Sequence, residues 1–147
     1  KSVGGIFGSG SGSKVTFINC ENSGDISATS SWRTLVGGLA GIVQSVNTSF
    51  INCKNSGDLS AFKTSSSIST QSSEVGGIVG AASTSSCKMT FTSCTNSGDL
   101  NGVGRMYSHV GGMVGDSEGG ATFNSCANTG AISCSASHGY SGQLKGE

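Results

Sequence analysis

The sequence predicts an all-β chain folded as a right-handed parallel β-solenoid, a parallel β-helix of four coils plus the first strand of a fifth. Three observations predict it. A Val-Gly-Gly-x-x-Gly block occurs four times, starting at Val3, Val36, Val75 and Val110, with spacings of 33, 39 and 35 residues. Each block runs on to a Phe, then a Cys, then Asn-Ser/Thr-Gly. No window carries helical periodicity, while short runs of β-branched and aromatic residues punctuated by Gly, Asn and Ser recur in every copy. A period of this length marks units that bury their apolar side only against their neighbours. The right hand follows from the general rule for parallel crossovers.

The 147 residues read as a single domain, with repeats at about 3–35, 36–74, 75–109 and 110–139 and a partial one at 140–147. Each coil is expected to carry three strands. The first is VGGxxG, with Val3, Val36, Val75 and Val110 in one column and Ile6, Leu39, Ile78 and Met113 in a second. The Gly pair between them can bend the strand, which leaves open which column points inward.

The second strand carries the Phe column, Phe17, Phe50, Phe91 and Phe123. Alternation places it inside. Its neighbours Thr16, Ser49, Thr90 and Thr122, and Ile18, Ile51, Thr92 and Asn124, then face out. Cys20, Cys53, Cys94 and Cys126 follow in a column of their own. The third strand contributes Ile26, Leu59, Leu100 and Ile132, with Ala28, Ala61, Gly102 and Cys134 as the next inward positions.

Between the second and third strands lies a tight turn held by Asn22, Asn55, Asn96 and Asn128. These amides can bond rung to rung, while the turn Gly is expected to accept positive φ. Pro is absent from the chain, as an in-register ladder requires. At the end, YSGQLKG at 140–146 aligns with LVGGLAG at 35–41, so a fifth coil begins. There Ser141, Gln143 and Lys145 replace apolar or small residues and blunt the last strand as a partial cap.

Composition narrows the function. Only 11% of residues are charged, 8 basic against 8 acidic, so no field exists to steer a polyanion and nucleic acid is not expected as a partner. No apolar run is long enough for a membrane span. A polar, weakly ionic surface rich in Ser, Thr and Asn suits an extracellular or cell-surface protein.

The VGGxxG block followed by Cys-x-Asn-Ser-Gly resembles the GLUG-type repeats of secreted and surface-anchored bacterial proteins, including adhesins and proteins that accompany IgA-specific metallopeptidases. The resemblance spans nearly the whole chain and implies a stalk or adhesive array. The zinc-binding HExxH motif of the peptidases is absent, so their catalysis does not carry over.

Candidate sites are few. The Cys column, with Cys87 and Cys134, lacks the paired spacing of zinc ligands. Buried free thiols, disulfides between rungs and a metal stay open in that order. Asp25, Asp58 and Asp99 follow the turn Gly and either splay into solvent or share a calcium ion. Ala131 breaks their column. Loops at the corner before each Val-Gly-Gly gather Trp32, Arg33, Phe62, Lys63, Arg105 and Tyr107, with His109, His138 and Tyr140, the longest spacer being 61–74. This edge is the candidate binding surface, since aromatic faces and guanidinium forks suit sugars or a partner protein. A sequon, Asn47-Thr48-Ser49, is expected in a turn. The two histidines are expected in loops, and no catalytic residue, cofactor or metal is expected.

The expected function is therefore a non-enzymatic structural or adhesive module. Its partners would be itself, stacked head to tail into a filament, or neighbouring repeats of a longer chain. The alternative is a glycan- or protein-binding module that uses the loop edge. Ice binding, for which only Thr90 and Thr92 match the paired-threonine pattern, and a polysaccharide-active β-helix enzyme stay behind these.

Overall fold

The computed structural model describes residues 1–64 and 72–146, and the centre of the 61–74 spacer lies outside them. The chain is a parallel β-solenoid. Five all-parallel sheets run along its axis, and every strand pairs with its counterpart in the next coil. A valine sheet comprises Ser2–Gly4, Thr34–Gly37, Ser72–Gly76, Tyr107–Gly111 and His138–Gly142. A return sheet comprises Phe7–Gly10, Ala40–Val43, Val79–Ala82 and Val114–Ser117. The phenylalanine sheet follows with Lys14–Ile18, Asn47–Ile51, Lys88–Thr92 and Ala121–Asn124.

An asparagine sheet is built of two-residue strands, Glu21–Asn22, Lys54–Asn55, Thr95–Asn96 and Ala127–Asn128. A closing sheet completes each coil with Ile26–Ser30, Leu59–Lys63, Leu100–Val103 and Ile132–Ser135. The fifth coil begins as expected: His138–Gly142 pairs with Tyr107–Gly111, and Lys145 bridges Val114.

Each VGGxxG is thus two strands, not the single one expected. The chain bends at the Gly pair, and the bend resolves which column points inward. Val36 and Leu39 are both fully buried because Val36 sits on the valine sheet while Leu39 lies in the bend just ahead of the return strand, and the two side chains enter different cores. One core joins the return and phenylalanine sheets around Leu39, Ile78, Met113, Phe50 and Phe91. The other joins the valine and closing sheets around Val36, Val75, Val110, Leu59 and Leu100.

The last Gly of the block lets the two cores lie back to back. A Cβ on Gly80 would sit 2.5 Å from the Gly41 carbonyl oxygen and 2.9 Å from the Val36 nitrogen, so backbone meets backbone at this seam. The Phe rings stack at centroid separations of 4.8, 5.0 and 5.2 Å with interplanar angles of 4°, 8° and 22°. Each such pair adds about 0.5–1.5 kcal/mol beyond area burial.

Two polar ladders tie coil to coil. Asn22 Nδ2 donates to Asn55 Oδ1, Asn55 Nδ2 to Asn96 Oδ1 and Asn96 Nδ2 to Asn128 Oδ1, each at 2.7 Å. Every Nδ2 also donates to the turn Gly carbonyl two residues on, at 2.8 to 2.9 Å. Beyond the fourth coil Gln143 Oε1 accepts from Asn128 Nδ2 at 3.2 Å. A Gln at a position otherwise held by Gly therefore extends the amide ladder by one bond.

The turn glycines are needed for closeness rather than for φ. A Cβ on Gly57 would lie 2.2 Å from the Gly24 carbonyl oxygen of the coil below. Positive φ falls instead on Asn19, Asn52, Ser93 and Ser125, at 52° to 54°, one residue before each Cys. Asn tolerates that left-handed region best, and Asn52 Nδ2 also donates to Asn19 Oδ1 at 2.8 Å.

Candidate functional site

The loop edge resolves into separate groups. Trp32 is 71% exposed, and among the described residues its ring stacks on nothing. Arg33 is not a free cationic fork. Its Nε and an Nη donate to the two carboxylate oxygens of Glu74 at 2.7 and 2.6 Å, and Ser72 Oγ donates to the same carboxylate at 2.5 Å.

Glu74 is 2% exposed, so this pairing satisfies a buried charge. Asp116, on the return sheet, approaches Arg33 at 3.9 Å and His109 Nδ1 at 3.6 Å. The His109 imidazole holds the Asp116 carboxyl below its ordinary pKa against the opposing effect of burial, with the Ser117 N–H and then Arg33 adding to the lowering. Arg33, Glu74, Asp116 and His109 thus knit the valine and return sheets together and are spent on that task.

Both histidines lie on strands of the valine sheet, not in loops. That sheet reaches further ahead of Val-Gly-Gly than expected because small hydroxyl residues, Thr34, Ser73 and Ser108, fill the inward positions there. In register across coils, Tyr107 stacks on His138 at 5.4 Å and His109 meets Tyr140 at 4.9 Å. Phe62 and Lys63 belong to the closing strand Leu59–Lys63 and are half-buried, while Arg105 lies exposed in the turn before Tyr107.

All six cysteines are free thiols. Cys53 and Cys94 donate to backbone carbonyls of their own and the preceding coil at 3.4 to 3.5 Å. Burial raises the Cys20 and Cys87 thiols, and the hydrogen bond with Cys53 together with burial raises Cys94. Its neighbour Cys53 moves the other way, lowered to about 6 by the hydrogen bond with Cys94, and the six sulfurs pack against the two apolar cores as stacked small hydrophobes.

The Asp column neither splays free nor converges on a cation. Asp25 Oδ1 accepts from Asp58 N at 2.9 Å, Asp58 Oδ1 from Asp99 N at 2.8 Å and Asp99 Oδ1 from Ala131 N at 2.9 Å. Each carboxylate caps the backbone of the next coil. The fourth coil needs only an N–H there, which Ala131 supplies. Among the described residues no group of three or more His, Cys, Asp and Glu is placed to hold a metal.

The outer face of the phenylalanine sheet is the other notable surface. Asn47, the sequon residue, opens the strand Asn47–Ile51 instead of lying in a turn, because it pairs in register with Lys14 and Lys88. A groove of about 490 Å³ crosses this face between Asn47–Ser49, Lys88–Thr90 and Gly119–Thr122. Sequence reasoning missed its lysines. Their signal was two cations at the same repeat position in a chain with few charges.

Compared with known proteins, the chain matches no family model, no curated protein and no solved structure.

Proposed function

We propose that the chain is a structural, non-enzymatic rod segment of an extracellular or cell-surface protein whose open ends are covered by like coils. One observation carries this reading. Columns that are fully buried in the middle coils open at the ends, the phenylalanine column at both and the Ile6 column at the first coil. Phe50 and Phe91 are sealed while Phe17 and Phe123 are not, and Ile6 is 52% exposed where Leu39, Ile78 and Met113 are at 0%. Another coil laid on either end would bury these groups, at about 25 cal/mol per Å² of apolar area. The polar, weakly ionic composition and the resemblance to GLUG-type repeats support the extracellular setting.

The like coils are those of neighbouring repeats in a longer chain or of a second copy docked head to tail, the latter being the geometry of an open filament. The valine sheet has five strands where the others have four. A copy seated in register on the phenylalanine sheet therefore sets its Ser2–Gly4 strand at a level His138–Gly142 already fills, and one of the two yields.

Sedimentation velocity over a wide concentration range, with negative-stain microscopy of the same samples, tests the reading. The expected result is mass that grows with concentration and end-to-end rods. Ile6→Asp, at an exposed position, should stay monomeric with an unchanged circular dichroism spectrum. A monomer at every concentration refutes it.

A further inference from the structure

The outer face of the phenylalanine sheet is unassigned by the rod reading, which uses the ends of the solenoid and not its sides. Its outward residues form columns parallel to the axis. Lys14, Asn47 and Lys88 make one, and Thr16, Ser49, Thr90 and Thr122 the next. Ile18 and Ile51, 57% and 39% exposed, begin a third.

No Asp or Glu lies on any strand of this sheet. Lys14 and Lys88 are exposed, and among the described residues neither makes an ion pair. Lys54, by contrast, stands in register beside Glu21 on the asparagine sheet. A chain of zero net charge therefore carries one sheet whose strands bear lysines and no acid, rich in hydroxyls and crossed by a groove.

We propose that this face binds a linear anionic polysaccharide, a β-1,4-linked uronan laid along the solenoid axis. The two lysines stand two rungs apart in one column, about 10 Å at the usual inter-strand spacing. A twofold β-1,4-linked chain turns every second carboxylate to the same side at a repeat of that order. The adjacent column supplies one hydroxyl per rung, donor and acceptor both, for the ring hydroxyls. The isoleucine strip offers an apolar bed to the C–H faces of the sugars. The outward face carries no aromatic platform, so a neutral chain lacks both a stacking surface and a charge partner and gains little.

The test uses the whole chain, labelled with ¹⁵N and titrated with a β-1,4-linked hexamannuronate. Amide shifts should concentrate at residues 14–18, 47–51, 88–92 and 119–122. Affinity should weaken as salt is raised. The double variant Lys14→Gln with Lys88→Gln should lose about tenfold in affinity with an unchanged circular dichroism spectrum, because both side chains are exposed. Three results overturn the proposal: shifts that are absent or lie elsewhere, equal shifts from cellohexaose, or equal affinity for an oligothymidylate of matched charge. The last would mean attraction to any polyanion.

Discussion

Replacing Asn55 by Ala tests whether the amide ladder holds the coils together. Asn55 is 1% exposed. Its Nδ2 donates to Gly57 O at 2.8 Å and to Asn96 Oδ1 at 2.7 Å, and its Oδ1 accepts from Asn22 at 2.7 Å. Asn22 keeps its second acceptor, Gly24 O. The truncation therefore strands two buried acceptors, Gly57 O and Asn96 Oδ1, at about 1–3 kcal/mol each, which sets the expected loss at about 4 kcal/mol. Against a typical total of about 5–15 kcal/mol this is a large share.

Asn55→Asp sharpens the test. A carboxylate keeps the shape and the acceptor but cannot donate, and it sets a negative oxygen against Asn96 Oδ1. At neutral pH it should be worse than Ala. Burial raises the folded-state pKa of such a carboxyl, so stability should recover as pH falls and the group takes up a proton. Urea unfolding followed by far-ultraviolet circular dichroism reads both variants, since Trp32 is too exposed to report on the core. A cost for Asn55→Ala below about 1 kcal/mol, with Asp no worse than Ala, would refute a structural role for the ladder.

Other expectations follow from single contacts. Gly57→Ala should abolish folding or cost well over about 3 kcal/mol, whereas Gly24→Ala in the same column should be near neutral in a thermal melt. The reason is that a Cβ on Gly57 lies 2.2 Å from a carbonyl oxygen, while on Gly24 its nearest neighbour is 3.9 Å away. Arg33→Ala leaves Glu74 buried and unpaired. It should cost about 2–3 kcal/mol by urea titration, less than a fully buried pair would because the Arg33 side chain is 38% exposed. The depressed Asp116 pKa stabilises the fold above the ordinary carboxyl range, and that stability is lost as pH falls through the folded-state value. Asp116→Asn should flatten this acid limb of the stability profile.

The legible part of the fold was whatever repeats. The Phe, Val and Asn columns lie in register because identical residues return at each coil, and stacking identical side chains leaves little choice of face. Period alone could not divide VGGxxG into two strands. The bend depends on how closely the third Gly meets the coil below, a contact between residues nearly forty positions apart. Asp25, Asp58 and Asp99 were visible as a column, but their partners are backbone N–H groups, which sequence does not distinguish.

The pairing of Arg33 within the loop edge was hidden for a similar reason. Arg33 and Glu74 lie 41 residues apart and outside the repeat, so nothing periodic announced that one neutralises the other. Gln143 was noticed as a departure from Gly, yet its place in the amide ladder emerges only once Asn128 is seen facing it.

The amide ladder also gives the solenoid a direction. Inter-strand bonds of a parallel sheet point alternately up and down the axis, so their dipoles largely cancel. The four Asn amides do not alternate: every C=O faces the first coil and every NH₂ the last. Their moments add head to tail, with the Asn22 Oδ1, which accepts from no donor among the described residues, as the negative pole and the Asn128 NH₂, met by Gln143, as the positive one. The rod is therefore polar along its length, with opposite poles that attract end to end and like poles that oppose a face-to-face pairing of the same end.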